Sequence, residues 1–144
     1  MKTILFSILA AAGVFATVSC ASSTEANGES ATAESAQTGG SYTNITAGNF
    51  QKTVNEQEAI VIDVRTPMET AEGVIEGCDM MIDFKSSNFG TEIAKLDKSK
   101  AYVIYCRSGG RSASASQYMI DNGFKKVYNL EGGITGWTGN VVKP

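Results

Sequence analysis

Residues Ala101–Ser112 read AYVIYCRSGGRS. Ala101–Cys106 is a short, continuous run of apolar and aromatic residues with no alternation. Such a run fits a strand covered on both faces, as the strands of parallel sheets are. Ser108, Gly109 and Gly110 end it. From Arg111 to Asn122 the apolar positions change to helical spacing, with Ala115, Tyr118 and Met119 on one face, and Gly123 supplies a stop. A buried strand, a glycine turn and a helix follow one another.

The pattern repeats outward from there. Ala59–Val64 (AIVIDV) is a second apolar run, broken only by Asp63. Thr66-Pro67 opens a short helix with Pro in its first turn and Glu69 early in it, and Gly73 and Gly77 break it. Before these, Ser41–Ile45 reads as a short edge strand. Ala47–Asn55 reads as a helix capped by Thr46 that buries Phe50 and Val54. Asp79–Phe84 is a weaker strand. Phe89–Leu96 is a short helix with Ile93 and Leu96 inward. Lys126–Leu130 is a last strand, followed by a helical turn through Ile134 and Trp137. This alternation predicts an α/β fold with a mainly parallel central sheet and helices on both faces. Phe50 and Trp137 are expected in the core, and the acids at 56, 58 and 72 on a solvated surface.

Residues 41–144 are enough for one compact domain. What precedes them is different in kind. Lys2 leads into Ile4–Val18, an almost wholly apolar run that is short for a bilayer span and suits a signal-peptide core. Thr17-Val18-Ser19-Cys20 then resembles a bacterial lipobox, with Thr17 where Leu is usual. On that resemblance residues 1–19 are a signal peptide and Cys20 is the lipidated mature N-terminus. The protein is then exported and held by a lipid anchor on the periplasmic side of a bacterial membrane, or at the cell-envelope surface. A signal peptide cut near Ala21 and a short N-terminal anchor helix are the alternatives. Residues 20–40 form a tether: from Ala21 on they contain no Leu, Ile, Val, aromatic residue, Lys or Arg. Nothing there offsets the entropy of ordering the backbone.

The whole chain carries 12 Lys and Arg against 15 Asp and Glu, a formal net charge of −3, with 3 Cys and no His. The missing His excludes Ser-His-Asp and Cys-His sites and any His-bearing zinc site. Three Cys cannot supply a four-thiolate zinc site either. Mild acidity without a basic block argues against a nucleic-acid partner. No cofactor or metal is expected.

The chemistry therefore falls to Cys106. Ligand sites in open α/β sheets form at the carboxyl ends of strands. Cys106 stands at such an end, over a helix N-terminus whose N–H groups favour an anion. Ser108, Gly109 and Gly110 let successive N–H groups point inward, and Arg107 and Arg111 add positive charge. All of these are expected to push the thiol toward thiolate, so a nucleophile can be activated without a His.

The segment Cys106–Arg111, a C-x4-R loop before a helix, resembles the active-site loop of the rhodanese family of sulfurtransferases. Val61-Ile62-Asp63-Val64-Arg65 is similar to that family's Asp-x-Arg strand end. Glu69 with Gly73-x-Ile75-x-Gly77, and Asn129–Ile134 with Trp137, match two further segments. Thr70, Val74 and Cys78 depart, standing where the family often has an aromatic, a His and an Ala.

The resemblance implies that Cys106 takes the outer sulfur of a small anionic donor such as thiosulfate, as a persulfide, and passes it to a thiol or cyanide. It implies that Arg107, Ser108, Gly109, Gly110, Arg111 and Arg65 surround the substrate, with Asp63 as scaffold nearby. Asp63 and Arg65 are expected to act as an ion-paired frame, and Arg111 either binds substrate or pins the loop to an acid. The related dual-specificity phosphatases use a loop one residue longer, C-x5-R, which disfavours phosphate. A non-catalytic or redox-responsive binding module, or a persulfide carrier, is the alternative. Cys78 either packs as a small apolar residue or pairs reversibly with Cys106. A monomer is expected.

Overall fold

The computed structural model describes residues 40–144. The expected signal peptide at 1–19, the expected lipidation site Cys20 and all of the expected tether but Gly40 lie outside the described residues. In chain order the elements are β1 (Thr43–Ile45), α1 (Ala47–Gln57), β2 (Ile60–Asp63), α2 (Pro67–Ala71), β3 (Val74–Ile75) and β4 (Met80–Met81). They continue with α3 (Phe89–Ala94), β5 (Ala101–Tyr105), α4 (Gly110–Asp121), β6 (Lys126–Leu130), a 3-10 turn (Gly133–Gly136) and β7 (Val141–Val142).

The two apolar runs lie side by side inside one sheet. Five strands are arranged in the order β1-β6-β5-β2-β4, and every neighbouring pair is parallel. β5 is central, and all of its residues are buried. Its side chains alternate between two cores, as a strand must. Tyr102, Ile104 and Cys106 pack with Phe89 and Ile93 of α3 and with Ala115 and Met119 of α4. Ala101, Val103 and Tyr105 face the other way, with Phe50 of α1 and Trp137. The Phe50 and Trp137 rings meet edge-on, their centroids 4.8 Å apart. The fold is α/β, with a mainly parallel central sheet and helices on both faces.

Local expectations change at the margins. Asp79–Phe84 contributes only Met80–Met81 to the sheet. Ile82 and Phe84 still donate to the carbonyls of Asp63 and Val64, but β2 has ended there and no regular ladder continues. Tyr118 is 39% exposed. It lies on the flank of α4, tilted against the Phe89 ring at 5.5 Å, while Ala115 and Met119 point inward. Thr46 precedes α1 without a side-chain cap bond. An antiparallel ribbon, Val74 opposite Val142 and Ile75 opposite Val141, ties the chain's end to the segment after α2.

From β5 the chain passes through α4 to β6, and from β2 through α2 to β4 on the opposite side. The crevice beyond the carboxyl ends of β2 and β5 is therefore where the connections diverge, the place where α/β sheets hold ligands.

Candidate active site

Cys106 is the first residue beyond β5, and the loop above it enters α4 at Gly110. Gly109 has φ 98, a left-handed conformation that costs a glycine little. That turn aims its N–H back at the thiol, 3.2 Å from Cys106 Sγ. The hydroxyl of Ser112, fully buried in the first turn of α4, lies 3.5 Å from the same sulfur and 3.0 Å from the Gly109 carbonyl.

Opposing influences act on this thiol. Burial, the largest, pushes its pKa up. The Ser112 hydroxyl and the N–H groups of Ser112, Ser108 and Gly109 pull it down, and together they prevail, so Cys106 titrates below an ordinary thiol. Ser112 is the member of this group to which the sequence assigns no role. Its hydroxyl matters only because one helical turn brings it under the sulfur.

The arginines do less for the thiol than their charge suggests. Arg111 grips Glu69 with both guanidinium ends, at 2.6 and 2.8 Å. Glu69 also closes a capping box with Thr66 at the start of α2. The Arg111 hydrogen bond, first among several causes, holds the Glu69 carboxyl well below the usual carboxylate range. Arg111 thus pins the loop to α2. Arg65 is buried, and its guanidinium is occupied by Asp63 (2.6 Å) and by the carbonyls of Gly73 (2.6 Å) and Glu69 (3.2 Å). It knits β2, α2 and β3 together and has little capacity left for a substrate. Arg107 is exposed at the mouth and forms no ion pair among the described residues.

The chain's last segments close the loop from behind. Ile134 N–H donates to the Cys106 carbonyl at 2.9 Å and Thr135 N–H to the Arg107 carbonyl at 3.0 Å. Gly133 has φ 53, and a Cβ there would collide with the Cys106 carbonyl oxygen. Cys78 packs in the core on the other face of the sheet from Cys106, its sulfur 3.3 Å from the Met80 carbonyl, and burial pushes its thiol pKa up. Both thiols are free, with the sheet between their two cores. Thr70 and Val74 are buried, and the Thr70 hydroxyl turns back to the Pro67 carbonyl. Among the described residues no cluster of His, Cys, Asp and Glu could hold a metal ion.

A buried cysteine, a C-x4-R loop on a helix N-terminus and a buried Asp-x-Arg pair beside it form one assembly. The family profile described as "Rhodanese-like domain" matches residues 46–140. The chain belongs to the rhodanese-like family. A Bacillus subtilis protein provisionally named a sulfurtransferase is 38% identical over 96 residues, covering 67% of this chain and 89% of that protein. An Allochromatium vinosum protein named "Sulfurtransferase" is 33% identical over 87 residues, covering 60% of this chain and 78% of that one. A Buchnera aphidicola tRNA uridine(34) hydroxylase is 38% identical over 96 residues, but the match spans only 29% of it. Among solved structures, a rhodanese-like domain protein from Staphylococcus aureus superposes with a TM-score of 0.61 at 28% identity. It covers 71% of this chain and 99% of its own.

Proposed function

We propose that this rhodanese-like protein moves a sulfane sulfur from a small anionic donor such as thiosulfate to a thiol, or to cyanide, through a persulfide on Cys106. In the first step the Cys106 thiolate attacks the donor's outer sulfur. The donor S–S bond breaks and sulfite leaves with the electron pair. In the second step the acceptor attacks the terminal sulfur, and Cys106 returns as thiolate. The observation that carries the reading is the pair of donors on Cys106 Sγ, Gly109 N–H at 3.2 Å and the Ser112 hydroxyl at 3.5 Å. They favour the thiolate as nucleophile and again as leaving group. The N–H groups of the loop from Arg107 to Arg111 would hold the terminal sulfur, and Arg107 attracts an anionic donor.

The same reading places the domain, as a monomer, on a lipid anchor at Cys20, on the periplasmic side of a bacterial membrane or at the cell-envelope surface. It assigns no nucleic-acid partner. The lipobox-like segment and the absence of a basic block support this placement. Intact mass after incubation of residues 41–144 with thiosulfate tests the chemistry. A gain of one sulfur atom that disappears in Cys106→Ser is expected. No gain in the wild-type domain would favour a binding module instead.

A further inference from the structure

Helix α2 is held from outside rather than by its own packing. It has five residues, PMETA, and buries only Thr70. A helix this short is not stable by itself. Yet it carries Glu69, which grips Arg111 of the loop over Cys106, and its exit supplies the Gly73 carbonyl that receives Arg65 at 2.6 Å. The placement of α2 therefore reaches the loop.

The amino-terminal end of α2 is closed by the Thr66–Glu69 capping box. Its last carbonyls have no partner further along the helix. Two of them are taken by one side chain: Lys143 Nζ donates to the Ala71 carbonyl at 2.9 Å and to the Glu72 carbonyl at 3.1 Å. Lys143 reaches them from the ribbon, where Val141 and Val142 pair with Ile75 and Val74. Asn140 clasps Glu76 twice. Its carbonyl accepts the Glu76 N–H at 3.1 Å, and its side-chain amide donates to the Glu76 carboxylate at 2.8 Å. The indole N–H of Trp137, whose ring packs edge-on against Phe50, donates to the same Asn140 carbonyl at 3.1 Å. Residues 140–143 are thus fixed to Trp137 and along β3, and Lys143 joins them to α2. The sulfur chemistry uses none of these groups.

We propose that Lys143 is a positioning residue for the reaction of Cys106. By holding the carboxyl end of α2 it keeps Glu69 where it grips Arg111, and that pin keeps the loop N–H groups aimed at the sulfur. Among the described residues the hydrogen bonds of its ammonium go to α2 alone, so its effect on the sulfur runs through Glu69.

This inference rests on the sulfurtransferase reading for the step it acts on, and a double-mutant cycle read by two observables separates the two. The first observable is the rate of persulfide formation from thiosulfate. Lys143→Met keeps the stem and removes the ammonium. It is expected to lower the rate at saturating thiosulfate about two- to threefold, the size an exposed charged contact allows. The half-saturating concentration stays in place, because Lys143 does not meet the donor. Lys143→Arg restores the rate. Lys125→Met, at an exposed lysine before β6, leaves it unchanged. In a Glu69→Gln background Lys143→Met has no further effect, since the link it serves is already cut. The second observable is exchange of the Thr70 amide, which donates to the Thr66 carbonyl at 3.0 Å and should exchange faster in Lys143→Met. Losses that multiply in the double variant show that Lys143 acts by another route and overturn the proposal, as does a Lys143→Met rate equal to wild type. A wild-type protein that transfers no sulfur, even to cyanide, overturns the sulfurtransferase reading. Unchanged Thr70 exchange in Lys143→Met overturns the positioning of α2 whether or not sulfur is transferred.

Discussion

Replacing Ser112 by Ala removes one hydroxyl from a fully buried position and leaves the rest of the loop in place. The hydroxyl lies 3.5 Å from Cys106 Sγ, while Gly109 N–H remains at 3.2 Å. A hydrogen bond to a charged group contributes about 1.5–3 kcal/mol. The long contact to sulfur, and the sharing of the single hydroxyl proton with the Gly109 carbonyl at 3.0 Å, point to no more than the lower end, about 1.5 kcal/mol of thiolate stabilisation, or up to roughly a tenfold smaller thiolate fraction on the acid side of the titration.

The sign follows from the wild-type thiol. Its pKa lies below the ordinary value, so losing a donor moves it up. The acid limb of the rate of iodoacetamide alkylation, and of persulfide formation from thiosulfate, should move to higher pH. On the acid side of the wild-type titration rates should fall about tenfold, and they should recover in alkali, where the thiolate forms regardless. The linked stability moves in the same sense. A depressed folded-state pKa adds stability above the unfolded thiol's pKa, near 8.5, that is lost as pH falls through the folded value. Ser112→Ala loses part of that increment. An alkylation profile superimposable on the wild type would refute the reasoning, because the backbone donors alone would then account for the thiolate.

Glu69→Gln breaks the two-pronged contact with Arg111, whose partners are only 22% and 25% exposed, and should cost about 1 kcal/mol in urea unfolding at neutral pH. Because the Glu69 carboxyl is held well below its usual range, the pair's contribution is complete above about pH 4.3 and fades as pH falls through the folded value. The gap between wild type and variant should therefore stay flat from about pH 8 to pH 5 and close only in stronger acid; a gap that closes at neutral pH contradicts the assignment. Gly133→Ala forces a Cβ into the Cys106 carbonyl oxygen at a left-handed φ of 53 and should destabilise the domain by about 2 kcal/mol or more while slowing alkylation of Cys106. Unfolding within about 0.5 kcal/mol of wild type would show that the turn can shift at no cost.

The sequence is most legible where a property repeats over many residues. The runs at 59–64 and 101–106 announce buried strands because a strand covered on both faces carries apolar side chains on both, and the one charge among them, Asp63, is matched by Arg65. Helix α4 is legible through its spacing, although Tyr118 shows that a period marks a stripe and not its edge. The ribbon between β3 and β7 is not legible. Two-residue strands have no period, and their pairing joins residues more than sixty positions apart. The same limit governs the site. Cys106 and its glycines are neighbours in the chain, so their grouping can be read directly. The partner of Arg111 lies 42 positions away, and no local pattern chooses between pinning the loop and binding a substrate.

The sequence alone thus determined the α/β alternation, the candidate nucleophile and the exclusion of imidazole chemistry, since each depends on residue identity or on contacts within one turn or strand. Tertiary structure decided how the thiol is activated and which arginine has no ion pair among the described residues. It buries Ser112 beneath the sulfur, matches Arg111 with Glu69 and Arg65 with Asp63, and leaves Arg107 and Lys85 at the mouth. A charge acts according to what lies within a few ångströms of it. For side chains on separate elements, only the folded sheet brings those neighbours together.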